Sequence, residues 1–370
     1  MGFALSGGRV SPVSFALVNP DIRSLLEHAF NAGASDVFMI EGERPRVRSD
    51  GDIIIAHGGP IQRDDIAAIW KDSGYDPATT NDGDSSIAVD GVGRLRTNLY
   101  RSLGRLAVAL RPIKKDIPDF EELGLPGNML ASWMQRRSGL VIVCGPTGSG
   151  KSTTIASCLQ WVNRNQPRHV VTIEDPIEYL FENDRALFSQ REVRRDTENF
   201  NIALRAALRQ NPDIILFGEI RDAESAFTAL RAAETGHLVI STLHGSGVAG
   251  VPTAMERLNR ILSDSGSAGA ASLLSHQLVG AIAQQLLPRI DGGVVAVLEY
   301  FENVGATRKW VEEGRYDELK DYLNKADESV GCSFLRYLIA ATNQGIIDPA
   351  IARSATDRPQ DFDRAMRGIS

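Results

Sequence analysis

The amino-acid sequence predicts an α/β protein of two domains: a mixed α+β domain, followed by a parallel sheet with helices on both of its faces. Two observations favour this fold. Between Leu140 and His244, apolar runs of strand length alternate with stretches of helical periodicity, which is the pattern of strand–helix–strand units. At 370 residues, the chain is also long enough for two or three domains, each with its own core.

The first predicted domain opens with a helix. The stretch "NPDIRSLLEHAF" places its apolar residues on one helical face and has Pro20 near its start. Next, "PRVRSDGDIII" predicts two strands joined by a hairpin turn at Asp50 and Gly51. A second amphipathic helix around Ile66 to Trp70 and further strands between Ser86 and Leu110 complete this domain.

A segment marked by three prolines, "RPIKKDIPDFEELGLPG", separates the two predicted domains and is typical of a linker. We therefore predict a first domain at residues 1–111, a linker at 112–126 and a second domain at 127–370. The last part of the second domain, about 265–370, is expected to be helical.

The second predicted domain alternates strands and helices. A strand at Leu140–Cys144 precedes a helix, and the apolar runs in "HVVTIEDP", "DIILFGE" and "HLVISTLH" predict three more strands. Because parallel sheets bind ligands at the carboxyl ends of their strands, charged residues at these ends are candidates for chemistry.

The strongest chemical signal is "GPTGSGKSTT", which follows the first of these strands. It matches the pattern G-x-x-x-x-G-K-[ST], in which backbone N–H groups and a helix N-terminus hold a phosphate chain. Lys151 is expected to bind the β- and γ-phosphates, and the Ser152 hydroxyl is expected to bind Mg²⁺. The predicted nucleotide-binding residues are Gly145, Pro146, Thr147, Gly148, Ser149, Gly150, Lys151, Ser152 and Thr153.

Acidic residues end two of the other strands. Glu219 follows "DIILFG" and can orient and deprotonate the water that attacks a γ-phosphate. Glu174, Asp175 and Glu178 follow "VTI", and we interpret them as partners of the metal's water ligands, with Asp175 as a metal site through water. The alternative reading is a surface carboxylate in the first case and a solvated acidic turn in the second.

Two histidines, His237 and His244, stand at the two ends of "HLVISTLH". Their odd separation turns them to opposite faces of a regular strand, which argues against a shared metal. A neutral histidine beside a γ-phosphate can report its presence by hydrogen bonding. Packing in the core is the open alternative for each histidine.

Arginines before the linker also need an explanation. Arg94 and Arg96 fall on one face of a predicted strand, and Arg111 ends the next strand. Arginine is suited to bidentate phosphate contact and to transition-state charge. We interpret these arginines as groups that a mobile domain brings to a nucleotide, with exposed strand arginines as the alternative.

Composition limits the classes of function. The chain is 43% hydrophobic and 24% charged, with a net charge of −7, so it has no general basic coat for nucleic acid or anionic membrane. No apolar run has the length of a membrane helix, and we expect membrane contact only through partners. The three cysteines lack metal-type spacing and are expected to be reduced core residues of a cytoplasmic protein. Gly2 and Ser6 also match an acylation pattern, but a pattern this loose is more often a chance match.

As a set, these motifs resemble the ATPases of type II secretion, type IV pilus and type IV secretion systems, most closely the pilus-retraction (PilT) group. The similar segments run in the family's order from about Asp21 to the C-terminus. They are "GASDVFMIEGERPRVRSDGDI", "GRLRTNLYRSLGRLAVALRPI", "GPTGSGKSTT", "VTIEDPIEY", "SQREVRRDTENF", "ALRAALRQNPDIILFGEIRD" and "AAETGHLVISTLH".

This resemblance implies a homo-hexameric ATPase that uses ATP with Mg²⁺ and is built from an N-terminal PAS-like domain and a RecA-like P-loop ATPase domain. It implies domain rotation that powers pilus retraction through an inner-membrane platform protein, to which the cytoplasmic ring is peripheral. It also implies residue roles: Glu219 as the catalytic glutamate of an atypical Walker B motif, Glu174 as the Asp-box acid, His237 and His244 as the His-box residues, and Arg96 and Arg111 as the arginines that reach the nucleotide.

Two segments depart from the family's pattern. Phe38 stands where histidine is usual, and "ATRKWVEE" aligns with the retraction motif AIRNLIRE, so that Trp310 and Glu312 replace a leucine and an arginine. The run "LLPRIDGGVVAVLEY" is similar to the DotB and TraJ group of conjugation and Dot/Icm-type secretion, which is the alternative apparatus. An ATP-gated docking ring with negligible hydrolysis and a nucleic-acid translocase are the remaining alternatives.

Overall fold

The computed structural model describes residues 19–49, 51–244, 250–264 and 269–368. The chain divides into two compact units. The first holds the residues up to Lys115 together with Asp175–Leu180, and the second holds Asp116–Glu174 and the residues from Phe181 onward. The predicted α/β class is confirmed, whereas the domain and linker boundaries taken from the prolines stay predictions. The Gly2 and Ser6 pattern lies outside the described residues.

The first unit contains a six-stranded antiparallel sheet in the order β3-β2-β1-β6-β5-β4. Its elements are α1 (Pro20–Asn31), β1 (Asp36–Ile40), β2 (Arg46–Ser49), β3 (Asp52–Ile55), α2 (Arg63–Asp72), β4 (Gly83–Val89), β5 (Gly93–Ser102) and β6 (Arg105–Pro112). The predicted hairpin is confirmed, because Ser49 of β2 pairs with Asp52 of β3 and Gly51 has a φ of +91°. Asp50 itself lies outside the described residues.

Helices α1 and α2 supply the apolar side of this unit. The side chain of Asn19 caps α1 by accepting a hydrogen bond from the Asp21 N–H, and Ile22 and Leu26 are buried below it. In β5 the side chains alternate: Leu95 and Leu99 are fully buried in the core shared with the helices. Arg96 and Asn98, which alternate with Leu95, Thr97 and Leu99 along β5, therefore stand on the other face of the sheet.

The second unit contains an eight-stranded sheet in the order β14-β13-β12-β7-β11-β10-β8-β9. The six strands β12, β7, β11, β10, β8 and β9 pair in parallel, each with the next. Strands β13 and β14 extend the sheet beyond β12 and pair antiparallel. The strands are β7 (Gly139–Gly145), β8 (His169–Glu174), β9 (Leu187–Glu192), β10 (Ile214–Glu219), β11 (Leu238–His244), β12 (Leu278–Pro288), β13 (Val294–Glu302) and β14 (Gly331–Cys332).

Both faces of this sheet are covered by helices, as the alternating pattern predicts. Leu140 and Ile142 of β7 belong to one apolar core, whereas Val141 and Val143 belong to the core on the opposite face. The helices of this unit are α3 (Gly127–Met134), α4 (Lys151–Asn165), α5 (Phe200–Ala207), α6 (Ala223–Glu234), α7 (Val251–Ser263), α8 (Ala270–Gln277), α9 (Ala306–Glu313), α10 (Tyr316–Leu323), α11 (Phe334–Asn343), α12 (Pro349–Ala355) and α13 (Pro359–Met366).

The expectation of a helical C-terminal region is met by α9 to α13 but is wrong for β12 and β13, which form a long antiparallel hairpin. Consecutive residues of β12 are buried on both faces, as in the centre of a sheet. Gly280 allows this close packing, because a Cβ there would lie 2.4 Å from Trp133 and 2.6 Å from the Phe301 carbonyl oxygen. Strand β9, in "ALFSQRE", was likewise not predicted.

A buried carboxylate on β13 joins two helix N-termini. Glu299 accepts hydrogen bonds from the Val251 N–H of α7 at 2.7 Å and from the Phe334 N–H of α11 at 3.1 Å. Gly250 has to be small for this contact, because a Cβ there would lie 2.0 Å from Glu299 Oε1. Burial raises the pKa of Glu299, and the two N–H donors oppose that shift.

The three cysteines are free and buried, as expected from the sequence. Burial raises the pKa of Cys144 and Cys158 to about 12 and that of Cys332 to about 11, so all three are poor nucleophiles. Within the described part of the chain, no helix has both the length and the apolar composition that a bilayer crossing requires.

Candidate nucleotide-binding site

The glycine-rich loop connects β7 to α4 at the carboxyl end of the central strand. Gly145, Gly148 and Gly150 all have positive φ values, +148°, +77° and +89°, which favour glycine over residues with a Cβ. Gly150 is the N-cap residue of α4. The backbone therefore has the left-handed turns of a phosphate-binding loop that opens a helix.

Lys151, the first residue of α4, lies folded along this loop. Its Nζ donates to the carbonyl oxygens of Gly145 at 3.0 Å and of Pro146 at 2.8 Å. The positive charge is thus held at the loop that the sequence predicts for a phosphate chain. Ser149 adds a buried hydroxyl whose Oγ has no hydrogen-bond partner among the described residues.

The predicted residues from the other strands meet the loop along one edge of the sheet. His244, at the end of β11, pairs with Gly145, the last residue of β7. On the next strand, Glu219 of β10 pairs with Thr242 of β11. Glu174 ends β8, the neighbour of β10. Parallel pairing therefore brings the loop, the His244 backbone and both glutamates to the same carboxyl edge.

Glu219 is held at this edge by an irregular strand end. The β10–β11 pairing shifts between Phe217 and Glu219, and the Thr242 hydroxyl donates to the Gly218 carbonyl at 2.6 Å. The Glu219 side chain is 26% exposed and accepts a hydrogen bond from Arg221 Nε at 2.9 Å. A half-buried carboxylate at a strand end can accept a proton from water, which is the predicted role.

Glu174 has hydrogen-bond donors from its own sheet. The Thr172 hydroxyl donates to Glu174 Oε1 at 2.7 Å, and Gln190 Nε2 of β9 lies 3.5 Å from the same oxygen. These contacts fix the carboxylate at the end of β8. Asp175 and Glu178 belong to the first unit, and Glu178 is exposed there.

His237 does not join this edge. It precedes β11 at the amino end, where its carbonyl oxygen accepts from the Gly139 N–H at the start of β7. His237 and His244 are seven positions apart, which is roughly 23 Å along a strand. Its Nδ1 lies 3.0 Å from the Ala232 carbonyl at the end of α6. His237 therefore lies at the edge of the sheet away from the loop of its own chain, and its role at a nucleotide stays a prediction.

Arg96 and Arg111 lie directly opposite each other on β5 and β6 of the first unit. They differ in their partners. Arg111 pairs with the buried Asp36, with nitrogen–oxygen distances of 2.9 Å from Nε and 2.7 Å from Nη2. Arg96 makes no side-chain hydrogen bond or ion pair within the described ranges. Phe38, on the same face, packs under the Arg48 guanidinium at 5.7 Å from the ring centre.

The donor set fits ATP with Mg²⁺. The loop offers a lysine, a left-handed backbone cradle and the Ser149 hydroxyl, which suit phosphate oxygens. Ser152 and the edge carboxylates offer the hard oxygen atoms that Mg²⁺ prefers. Among the described residues, no cluster of three or more His, Cys, Asp or Glu side chains could hold a metal alone. Such a site matches Mg²⁺, which is bound by few side chains together with phosphate oxygens and waters.

Sequence reasoning missed one residue of the site, Gln284 on β12. It is buried beside the loop and accepts a hydrogen bond from the Thr154 hydroxyl at 2.7 Å. The available signal was a polar pair inside the apolar run "AIAQQLL". A glutamine that interrupts a buried strand needs a partner, and here that partner belongs to α4.

Comparison with known proteins decides the family. The family model described as "Type II/IV secretion system protein" (T2SSE) matches residues 94–333. The chain belongs to this family. It is 36% identical to the type IV pilus retraction ATPase PilT of Pseudomonas aeruginosa, over 92% of this chain and 100% of the relative. It is 32% identical to the type IV pilus ATPase PilU of that organism, over 92% and 90%.

Solved structures agree with this family assignment. The pilus retraction motor PilT with bound ADP superposes with a TM-score of 0.83 at 37% identity, covering 93% of this chain and 99% of that one. The ATPase DotB of Legionella pneumophila superposes with a TM-score of 0.78 at 28% identity, covering 97% and 99%. The resemblance predicted from the motifs is thus confirmed, and this T2SSE-family chain is an ATPase that uses ATP.

Proposed function

We propose that this protein is a hexameric motor that couples ATP hydrolysis to domain motion and so powers retraction of a type IV pilus. The observation that supports it most directly is the shared carboxyl edge, where the phosphate loop follows β7 and the two glutamates end β10 and β8 of the same parallel sheet. The similarity to PilT, which covers the whole of that relative, supports retraction as the use of the energy.

In this proposal the chain's own residues divide the chemistry of hydrolysis. The loop N–H groups and Lys151 bind the phosphate chain, and Ser152 holds Mg²⁺. When bound, Mg²⁺ neutralises charge on the β- and γ-phosphates. Glu219 orients the attacking water and accepts its proton, while Glu174 fixes waters at the next strand end. Asp175 is proposed as a further water-mediated contact to the metal.

Arg96 and Arg111 are proposed to donate positive charge to the phosphate groups during hydrolysis. The side chain of Arg111 is 63% exposed although Asp36 holds its guanidinium, so it can contact a further anion. His244 is proposed to sense the γ-phosphate. We also propose a cytoplasmic ring that reaches the inner membrane through a platform protein, without direct contact to nucleic acid.

The test of the chemistry is Glu219→Gln in the purified full-length protein. We expect nucleotide binding near that of the parent and a loss of turnover of about 10² to 10⁴-fold, because the amide accepts no proton from water. Glu224→Gln is the matched control, since Glu224 is an exposed carboxylate paired with Arg205. Hydrolysis by Glu219→Gln within about threefold of the parent rate would remove Glu219 from the mechanism.

Assembly and retraction need separate measurements. Light scattering of the parent with nucleotide should give the mass of six chains. Deletion of the gene in its own organism should leave surface pili that extend and fail to retract, and the Lys151→Ala protein should not restore retraction. A monomer under all nucleotide conditions, or normal retraction in the deletion strain, contradicts the motor.

The similarity to DotB favours a second candidate, a secretion or conjugation ATPase, and α9 carries the relevant difference. Trp310 keeps an apolar role, because it packs on the core and lies 5.7 Å from the ring of Tyr322. Glu312 is exposed and reverses the charge of the arginine in the retraction motif. In this alternative, deletion blocks transfer of protein or DNA and leaves pilus retraction unchanged.

A further inference from the structure

A buried amide lies against the phosphate loop. Gln284 is 3% exposed, and its Oε1 accepts a hydrogen bond from Thr154 Oγ1 at 2.7 Å. Thr154 is itself 1% exposed and lies in the first turn of α4, three residues after Lys151. The bond therefore ties the start of the helix that carries Lys151 to the neighbouring strand β12.

The same residue contacts both glycines that bound the loop pattern. A Cβ on Gly145 would lie 2.3 Å from the Gln284 carbonyl oxygen, and a Cβ on Gly150 would lie 2.6 Å from Gln284 Nε2. Real Cβ atoms do not approach other atoms so closely, so the loop backbone rests directly on Gln284. These glycines are thus required by packing as well as by their positive φ.

The sheet register explains why residue 284 has this place. Strand β12 runs parallel to β7, and its pairing ends with Ala283 beside Cys144. Gln284 is the next residue, at the point where the chain leaves β7 and enters the loop. An apolar side chain here would leave the buried Thr154 hydroxyl without its acceptor, and a carboxylate would place negative charge beside an anion site.

We propose that Gln284 is a positioning residue for the phosphate loop, which sets nucleotide affinity by holding Gly150 and the first turn of α4 without touching the nucleotide. This proposal rests on the assignment of the loop as the ATP site. It predicts that affinity for ADP depends on the amide at position 284 and on the hydroxyl at position 154 as one unit.

The first experiment measures ADP binding by calorimetry in the full-length protein. Gln284→Met keeps the length of the side chain and removes its hydrogen bond, and we expect about tenfold weaker binding. Gln285→Met is the matched control, because Gln285 is the next residue on β12, points to the opposite face and donates to the Ala355 carbonyl at 3.4 Å. We expect that control to bind ADP within about twofold of the parent.

A double-mutant cycle tests the coupling. Thr154→Val should weaken ADP binding by a similar factor, and Thr154→Val with Gln284→Met should be no weaker than the worse single variant, because both remove one bond. Factors that multiply in the double variant would show that the two residues act independently, which contradicts the proposal.

The pH profile of Gln284→Glu separates positioning from a general loss of structure. An ionised carboxylate repels the phosphates, whereas the protonated form keeps an acceptor for Thr154. We expect ADP binding by this variant to be about tenfold tighter at about pH 6 than at about pH 8, relative to the parent at each pH. Equal losses at both pH values, when the introduced carboxyl titrates between them, would indicate that Gln284 only fills space.

The outcomes also distinguish the positioning role of Gln284 from the assignment of the loop as the ATP site, on which that role rests. Parental ADP affinity in Gln284→Met, or an equal loss in Gln285→Met, overturns the positioning role while the ATP site stands. Parental ADP affinity in Lys151→Ala overturns the assignment of the loop, and the positioning role fails with it.

Discussion

The two sheets of this protein hold their candidate functional residues in different places. Helices cover both faces of the eight-stranded sheet, so polar groups that solvent can reach occur where strands end, as with the half-buried Glu174 and Glu219. In the six-stranded sheet the helices pack on one face, and Arg96 and Arg111 lie across the other. Whether helices cover one face of a sheet or both therefore decides where its candidate functional residues lie. They lie at the ends of the strands in the eight-stranded sheet and on the uncovered face in the six-stranded sheet.

Polar residues also occur inside strands of the eight-stranded sheet, whose faces are covered by helices, and there they have hydrogen-bond partners. Gln284 and Glu299 lie within β12 and β13, and each has partners that satisfy it: the Thr154 hydroxyl in one case and two helix N–H groups in the other. In a sheet buried on both faces, a polar side chain is retained where neighbouring elements supply its hydrogen bonds.

The edge of the eight-stranded sheet should show the largest effect. Lys151→Ala removes the only charged side chain of the loop pattern, and we expect it to abolish both ADP binding and ATP hydrolysis. Lys309→Ala is the control, because Lys309 is exposed on α9 and pairs with Glu313 at 3.7 Å. ADP binding by Lys151→Ala within about tenfold of the parent would break the link between this edge and the nucleotide.

The second-largest effect is expected for substitutions on the face of the six-stranded sheet that the helices do not cover. We expect Arg96→Ala and Arg111→Ala each to reduce ATP hydrolysis by about 10³-fold if they supply transition-state charge. Near-parental rates in both variants would return them to the role of surface strand arginines.

The same two variants should differ in stability. Arg111→Ala leaves the buried Asp36 with Arg48 Nε at 3.9 Å as its remaining cation, so we expect a loss of about 1 to 3 kcal/mol in the free energy of unfolding. Arg96→Ala should change it by less than about 0.5 kcal/mol. Denaturant unfolding of both proteins measures the difference, and equal stabilities would contradict the pairing.

The free energy of unfolding should depend on pH through Glu299, which is buried in β13. In Glu299→Gln an amide N–H faces a backbone N–H, and we expect a loss of about 1 to 3 kcal/mol in the free energy of unfolding. Because the pKa of Glu299 is raised above its ordinary value of 4.5, the folded parent binds more protons than the unfolded chain, and its stability falls as pH rises above that value.

The difference between the parent and Glu299→Gln should therefore be larger at about pH 5 than at about pH 8. Denaturant unfolding at both pH values tests this, with Glu312→Gln as the control for loss of one exposed carboxylate. A difference that grows with pH would show that the two N–H donors outweigh burial.

The smallest effect is expected in the turn between β5 and β6 of the six-stranded sheet. Leu103 joins β5 to β6 in a two-residue turn with a φ of +53° and is 93% exposed. Asparagine tolerates this left-handed conformation, so Leu103→Asn should raise the free energy of unfolding by about 0.5 to 1 kcal/mol. Leu103→Ala, which keeps a Cβ of the same preference, should change it little. A destabilised Leu103→Asn would indicate that the leucine makes a contact of its own.

Local patterns identified much of the first unit and of the site. The hairpin at Gly51, the α1 face with Leu26 and the loop before Lys151 were predictable because each depends on turn residues or a period close in the chain. The positions of Glu174 and Glu219 at strand ends followed in the same way. The placement of Arg94 and Arg96 on one face of a strand was also predictable, since side chains alternate between the two faces along any strand.

Other features were decided by tertiary structure alone. The apolar run of β12 is compatible with a buried helix or a central strand, and its pairing with β7 decided between them. That pairing also placed Gln284 under Gly150, and the direction of β11 placed His237 at the edge away from the loop. The amino-acid sequence by itself determined which residues can bind a nucleotide, because that depends on chemistry and short spacing. Which side chains meet depended on non-local strand pairing, which short-range periodicity does not encode.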